Sequence, residues 1–169
     1  DVYRLKYQAD KSIIKFGTYV SMFPQLIAGP IVSYDEVKPE LDHRETKADD
    51  IERGSTLFVL GLAYKVLLAN KIASLWNDVL TVGPFGINTL TAWLGSWGYS
   101  FQLLFDFMGY SVMAIGIGLI LGFKIPENFK DPYMAHSLTD FWRRWHITLG
   151  RWFREYVYIP MGGNRKGRL

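Results

Sequence analysis

The chain has 169 residues, enough for one ordinary domain, with a net charge of +3 and no cysteine. Without cysteine there is no disulfide frame and no thiol chemistry. The charge is uneven: residues 124–169 hold nine Lys and Arg against four acids. That basic segment follows long uncharged stretches, which argues against a nucleic-acid-binding fold and against a nucleic-acid partner.

In chain order, residues 1–15 are mixed polar and read as the cytoplasmic or interfacial end of a helix; no signal peptide is visible among them. Both chain ends read as cuts through a longer protein. Residues 16–32 are apolar and uncharged but contain Pro24, Gly29 and Pro30. Proline removes a backbone donor and clashes with the preceding turn, so a membrane-embedded but broken or re-entrant helix is expected, facing a bundle interior. Residues 33–53, with eight acids and four bases, read as a solvated loop with a short surface helix, and His43 as a surface histidine. Residues 54–82 form a mostly apolar helix whose Lys65 and Lys71 either snorkel or pair with buried acids. Gly83-Pro84 is a turn.

From 79 to 123, 45 consecutive residues carry a single charge, Asp106. A bilayer core needs roughly 20 apolar residues per helix, so this run supplies two spans, or one span and a re-entrant piece. The pieces read as 90–105 and 107–123. The second is rich in glycine (Gly109, Gly116, Gly118, Gly122), which suits close helix approach in lipid. Trp93, Trp97 and Tyr99 have the character of an interfacial belt. Asp106 is either functional or paired with Lys65, Arg143 or Arg144. The basic residues after 123 read as cytoplasmic, 124–130 and 165–168 included. The fold class expected is therefore all-α, a polytopic integral membrane protein.

Ser137 and Asp140 have capping-box spacing ahead of an apolar-periodic run. One amphipathic helix is expected over 138–159, stopping before Pro160 and Gly162-Gly163. At 100° per residue, His146 shares an aromatic face with Trp142, Leu149, Phe153 and Tyr156, with Trp145 and Trp152 at its edge. Arg143, Arg144, Arg151, Arg154 and Glu155 fall on the other face. Periodicity alone leaves His146 open between a satisfied structural histidine in an interfacial helix and a catalytic one.

The run Asp140-Phe-Trp-Arg-Arg-Trp-His-Ile-Thr-Leu149, with Trp152-Phe-Arg-Glu-Tyr156 and Tyr158-Ile-Pro-Met-Gly-Gly-Asn-Arg-Lys-Gly167, closely resembles the signature of the membrane-bound O-acyltransferase (MBOAT) family, in its bacterial alginate O-acetylation branch. Phe23-Pro-Gln-Leu-Ile-Ala-Gly-Pro-Ile31 and Phe105-Asp-Phe-Met-Gly-Tyr110 resemble two further family segments. Thr148, Gly150 and Glu155 stand where the family often has Ser, Ser and Asp. The loop 162–167 favours the alginate branch over the teichoic-acid D-alanylation branch.

The resemblance implies a partial MBOAT-type bundle over 1–169, in a multi-pass protein of the bacterial inner membrane. It implies transfer of an acyl group, acetyl first among them, toward hydroxyls of an exported polysaccharide such as alginate, or to a relay acyltransferase protein. His146 is the implied catalytic residue, as base or as an orienting group, with Trp142, Trp145, Asp106 and Arg143 as candidate substrate-binding residues. The acyl donor expected is acetyl-CoA or a similar thioester, met by the Arg165-Lys166 loop; no bound cofactor and no metal site are expected. A second catalytic histidine is expected beyond Leu169, so that this stretch alone is inactive. A transporter or channel, with 16–32 and Asp106 on its pathway, and a non-catalytic subunit of a polysaccharide-export complex are the alternatives.

Overall fold

The structure, a computed structural model, describes residues 1–26, 28–83 and 86–163. Pro84 and the basic loop at 164–168 lie outside the described residues. The described residues are helical, with turns and extended links and no strand.

Two long helices form the frame. Helix α4 (Ala48–Ala63), a wide π-turn over Tyr64–Ala69 and helix α5 (Asn70–Val82) make one rod of 35 residues. Helix α6 (Thr89–Ile120) is a single rod of 32 residues, capped by Asn88, whose side chain accepts from the Thr91 amide at 2.9 Å. Both are long and apolar enough to cross a membrane. The two stretches expected at 90–105 and 107–123 are therefore one helix that runs through Asp106 without a break. No break is needed there, because the Asp106 carboxylate pairs with the Lys65 ammonium on the facing rod.

The rods pack antiparallel through glycines spaced by seven residues. A methyl group at Gly61 would stand 2.5 Å from the Gly109 carbonyl oxygen, and one at Gly54 would stand 2.6 Å from that of Gly116. Only hydrogen fits at these crossings, so the backbones are in direct contact, as lipid-embedded helix pairs favour. Nearer the connecting turn the spacing widens enough for larger side chains. There Trp76 packs on Tyr99 with ring centroids 5.1 Å apart, and Trp93 on Trp97 at 6.1 Å.

The N-terminal segment covers the open end of this hairpin. Helix α1 (Ile13–Val20) is capped by Ser12, and α2 (Phe23–Leu26) follows after a break. A side chain at Gly29 would run into the Pro24 carbonyl oxygen, so the chain folds back on α2 only because position 29 is glycine. An extended link leads to helix α3 (Tyr34–Asp42), where Ser33 and Glu36 close a capping box. Met22, Val32 and Val37 from this segment bury themselves with Phe123 and Ile125 from the far end of α6.

Candidate active site

Helix α6 ends in a Schellman motif. Gly122, at φ 78°, allows the Gly122 amide to reach Leu119 O (2.9 Å) and the Phe123 amide to reach Gly118 O (2.7 Å). The chain then turns back along α6 in extended form. Ile125 sits against Gly118, Phe129 packs edge-to-face on Phe107 at 5.0 Å, and the Tyr133 hydroxyl donates to Ser100 O at 2.7 Å. With a helical rise of about 1.5 Å per residue, Phe107 lies about 20 Å from the C-terminal end of α6. The segment thus carries its residues back to the middle of the rod. Lys124 and Lys130, grouped on one surface by the sequence, are separated in level by this return.

Helix α7 (Leu138–Arg144) starts where the capping box places it, with Ser137 Oγ accepting from the Asp140 amide at 3.1 Å. It then stops. Trp145 is extended, His146 is left-handed (φ 47°, ψ 54°), and a second helix, α8 (Ile147–Phe153), begins, closing in a π-turn over Arg154–Tyr158. The single helix expected over 138–159 is therefore two helices with a break at the histidine. The returning segment supplies the reason, since it takes over the hydrogen bonds a continuous helix would make. The Lys130 amide donates to Arg144 O (2.9 Å), and the Ile147 amide to Asn128 O (2.9 Å). Irregular backbone inside an apolar setting is stable only when every polar group is matched in this way.

Asn128, 1 % exposed, is the centre of the knot. Its Oδ1 accepts from the Thr148 amide (3.2 Å) and the Thr148 hydroxyl (2.9 Å), and stands 3.1 Å from His146 Nδ1. Thr148 Oγ1 in turn accepts from the Ile31 amide at 2.9 Å, which ties the N-terminal segment to the same point. The His146 ring meets Phe107 edge-on at 4.8 Å and lies nearly parallel to Phe129 at 6.4 Å. Burial among these rings pushes the imidazole below its ordinary value, so it is neutral at neutral pH. Trp145 packs on Phe129 (5.1 Å), Phe141 (5.7 Å) and Tyr133 (6.2 Å).

Two clefts flank the knot. One, of about 680 Å³, has Asn128 and Phe129 on its wall, an apolar floor including Met108 and Ile115, and charged Arg53, Lys124 and Glu127 in its lining. The other, of about 390 Å³, reaches Thr148 and is lined by Tyr19, Tyr34, Glu36 and Arg151. Arg151 grips Glu36 with both terminal nitrogens, at 2.5 and 2.9 Å, joining α8 to α3. Burial opposes the charge on Glu36. The Ser33 amide and this guanidinium outweigh it and hold the carboxyl below its ordinary value. Among the described residues no group of three or more His, Asp or Glu side chains is placed to hold a metal ion.

The family model for MBOAT, the membrane-bound O-acyltransferase family, matches residues 8–169. The chain belongs to this family. It is 45 % identical over 170 residues to the probable alginate O-acetylase AlgI of Pseudomonas fluorescens, covering 100 % of this chain and 34 % of that protein. It is 45 % identical over 159 residues to the peptidoglycan O-acetyltransferase of Helicobacter pylori, covering 92 % and 30 %. The teichoic acid D-alanyltransferase of Bacillus subtilis is 34 % identical over 145 residues, covering 83 % and 36 %. The chain spans about a third of the length of these curated relatives.

Within this MBOAT-family chain the expected site residues are only partly brought together. His146 and Trp145 meet in one aromatic cluster with Phe107 and Phe129. Trp142 does not join them: it is 58 % exposed and its ring meets Phe141. Phe153, placed beside His146 by the helical wheel, is also exposed. Both misplacements follow from the break, because a left-handed residue resets the 100° count. Arg143 is exposed, while its neighbour Arg144 pairs with Asp140 at 3.0 Å. Asp106 pairs with Lys65 and precedes Phe107, the residue that touches the histidine. Asn128 and Thr148 were not singled out by sequence reasoning. The available signal was Pro126, which keeps residues 125–128 out of a helix and sets a lone amide between apolar Ile125 and Phe129.

Proposed function

We propose that this chain carries part of the active site of a bacterial inner-membrane, multi-pass O-acyltransferase, with His146 as its general base. The acyl group is acetyl, the donor is acetyl-CoA or a similar thioester, and the acceptor is a hydroxyl of an exported polysaccharide, alginate first among them, or of a relay acyltransferase protein. The relatives' names support the acyl transfer and the class of acceptor. The observation that carries the role of His146 is its position: a neutral imidazole held at a backbone break and walled by Phe107, Phe129 and Asn128, with one cleft reaching Asn128 and Phe129 and another reaching Thr148.

A hydroxyl attacks a thioester carbonyl only as its proton leaves. A ring nitrogen of His146 takes that proton while the new C–O bond forms. The C–S bond then breaks, and the thiolate leaves with the proton returned by the imidazolium. Trp145 packs on Phe107 and Phe129, the two rings that wall His146, and these apolar walls keep bulk water from competing for the acyl group.

In the full-length protein, His146→Ala is expected to lower acyl transfer by about 10² to 10⁴-fold while membrane insertion and abundance stay normal. Alanine adds no strain beyond that of histidine at the left-handed position, since both carry a Cβ. Activity within about threefold of wild type at normal abundance would refute the assignment. Low abundance with proportionally low activity would make the histidine structural.

A further inference from the structure

We infer that Asn128 is a positioning residue that holds His146 as the tautomer with its proton on Nδ1, leaving Nε2 as the nitrogen with the free lone pair. The meaning of this lone pair for acyl transfer rests on the base role proposed above; the tautomer itself does not. The Thr148 backbone amide can only donate, and it points at one end of the Asn128 side chain at 3.2 Å. That end is therefore the oxygen; turning the amide over would set its NH₂ against an N–H. The Thr148 hydroxyl agrees. Its oxygen already receives the Ile31 amide, so its own proton is directed at Asn128 Oδ1, 2.9 Å away.

A carbonyl oxygen brings no proton to a hydrogen bond. His146 Nδ1, 3.1 Å from this same oxygen, must then carry the proton between them. A neutral imidazole has one proton, so Nε2 has none and presents a lone pair. The left-handed backbone at His146 sets Nδ1 toward the returning segment, and Asn128 is buried there at 1 % exposure. Its Nδ2 is buried with no partner. The amide is thus held by its oxygen, and the Thr148 amide and hydroxyl both require the same orientation. Sequence separation adds to the case: a residue 18 positions before the histidine, on a different segment, selects which of its nitrogens can act.

The direct test is nuclear magnetic resonance of the full-length protein, labelled with ¹⁵N-histidine and held in lipid nanodiscs, with His146 assigned by the loss of its signals in His146→Gln. At neutral pH, His146 of the wild type should show a protonated Nδ1 and an unprotonated Nε2. A proton on Nε2, or the two tautomers in comparable amounts, would overturn the inference. Asn128→Asp keeps every acceptor bond and adds a negative charge beside the ring. It should retain the Nδ1–H form and raise the His146 titration midpoint by about one to three units. The elements around the ring also carry Asp106, Glu127, Lys130, Asp131 and Arg144, all unchanged in that variant. Asn128→Leu removes the acceptor and should shift the proton toward Nε2; a folded Asn128→Leu protein that keeps Nδ1–H would also overturn it. If that variant does not fold, the wild-type spectrum and Asn128→Asp decide. An Nδ1–H histidine in a protein whose His146→Ala variant is fully active would remove the base role and leave the tautomer standing. An Nε2–H histidine with an inactive His146→Ala would do the reverse.

Discussion

At the scale of single residues, His146 has a defined pH signature. Its folded value lies below the ordinary histidine value of about 6.5, because burial penalises the charged ring. A base works only when neutral, so acyl transfer should be flat through neutral pH and fall only on the acid side of the ordinary histidine range. A rate that already halves near pH 7 would contradict this. Asp106 makes a different prediction. Its pairing with Lys65 means that Asp106→Leu leaves an ammonium without its partner at the middle of the helix pair. That variant should lose abundance several-fold, a free-energy change of about 1–2 kcal/mol. The double variant Lys65→Leu/Asp106→Leu should recover most of the loss, since apolar pairs of similar volume replace ion pairs at little cost. Recovery of abundance without recovery of acyl transfer would instead show that the carboxylate touches the reaction.

At the scale of elements, the glycine crossings set the distance between the rods, and with it the position of Phe107 against the histidine. Gly61→Leu and Gly109→Leu should each destabilise the protein by about 1–3 kcal/mol or more, read as a lowered melting temperature in detergent and reduced activity. Gly17→Ala, where a methyl group meets nothing within 4 Å, should change stability by less than about 0.5 kcal/mol. The long apolar rods and the Ser137 cap were readable from the sequence, because hydropathy and capping act locally. The break at Trp145-His146 was not. Every residue from 138 to 153 except Gly150 is acceptable in a helix, so propensity runs straight through. What interrupts it is a set of bonds from Asn128 and Lys130, and tertiary bonds of that kind override local preference. The aromatic half of the site was visible as a run of Trp and Phe; the amide at its centre carries no periodic signal.

At the scale of the molecule, the two rods form a hairpin, each long and apolar enough to cross a membrane. Residues 43–47 and 121–124 share one end, where the Arg44 guanidinium lies 5.2 Å over the Phe123 ring; Gly83 and residues 86–88 lie at the other. Arg44, Lys47 and Lys124 at the first end favour the cytoplasm for it. Single cysteines in the full-length protein test this. Glu45→Cys should label from the cytoplasmic side only, and Thr89→Cys from the periplasmic side only. Labelling of both from one side would mean that the rods do not span. A spanning hairpin with Phe107 near mid-rod would place the histidine at the depth of the hydrocarbon layer. The membrane character and the family could be read from composition and motif together. The depth of the site could not, because nothing in residues 123–133 announces that they run back along a helix.

That return path also fixes when the site can exist during synthesis. Both rods leave the ribosome before the returning segment, and residues 144–148 follow Phe123 by some twenty to twenty-five positions. At about 5–20 residues per second, the hairpin waits for roughly one to five seconds with its Phe107 groove unfilled. The bond from the Ile31 amide to Thr148 joins residues 117 positions apart. A nascent chain stalled short of Asn128 should therefore hold a protease-resistant hairpin and a mobile N-terminal segment, and the histidine pocket should be born only when the chain doubles back to close it.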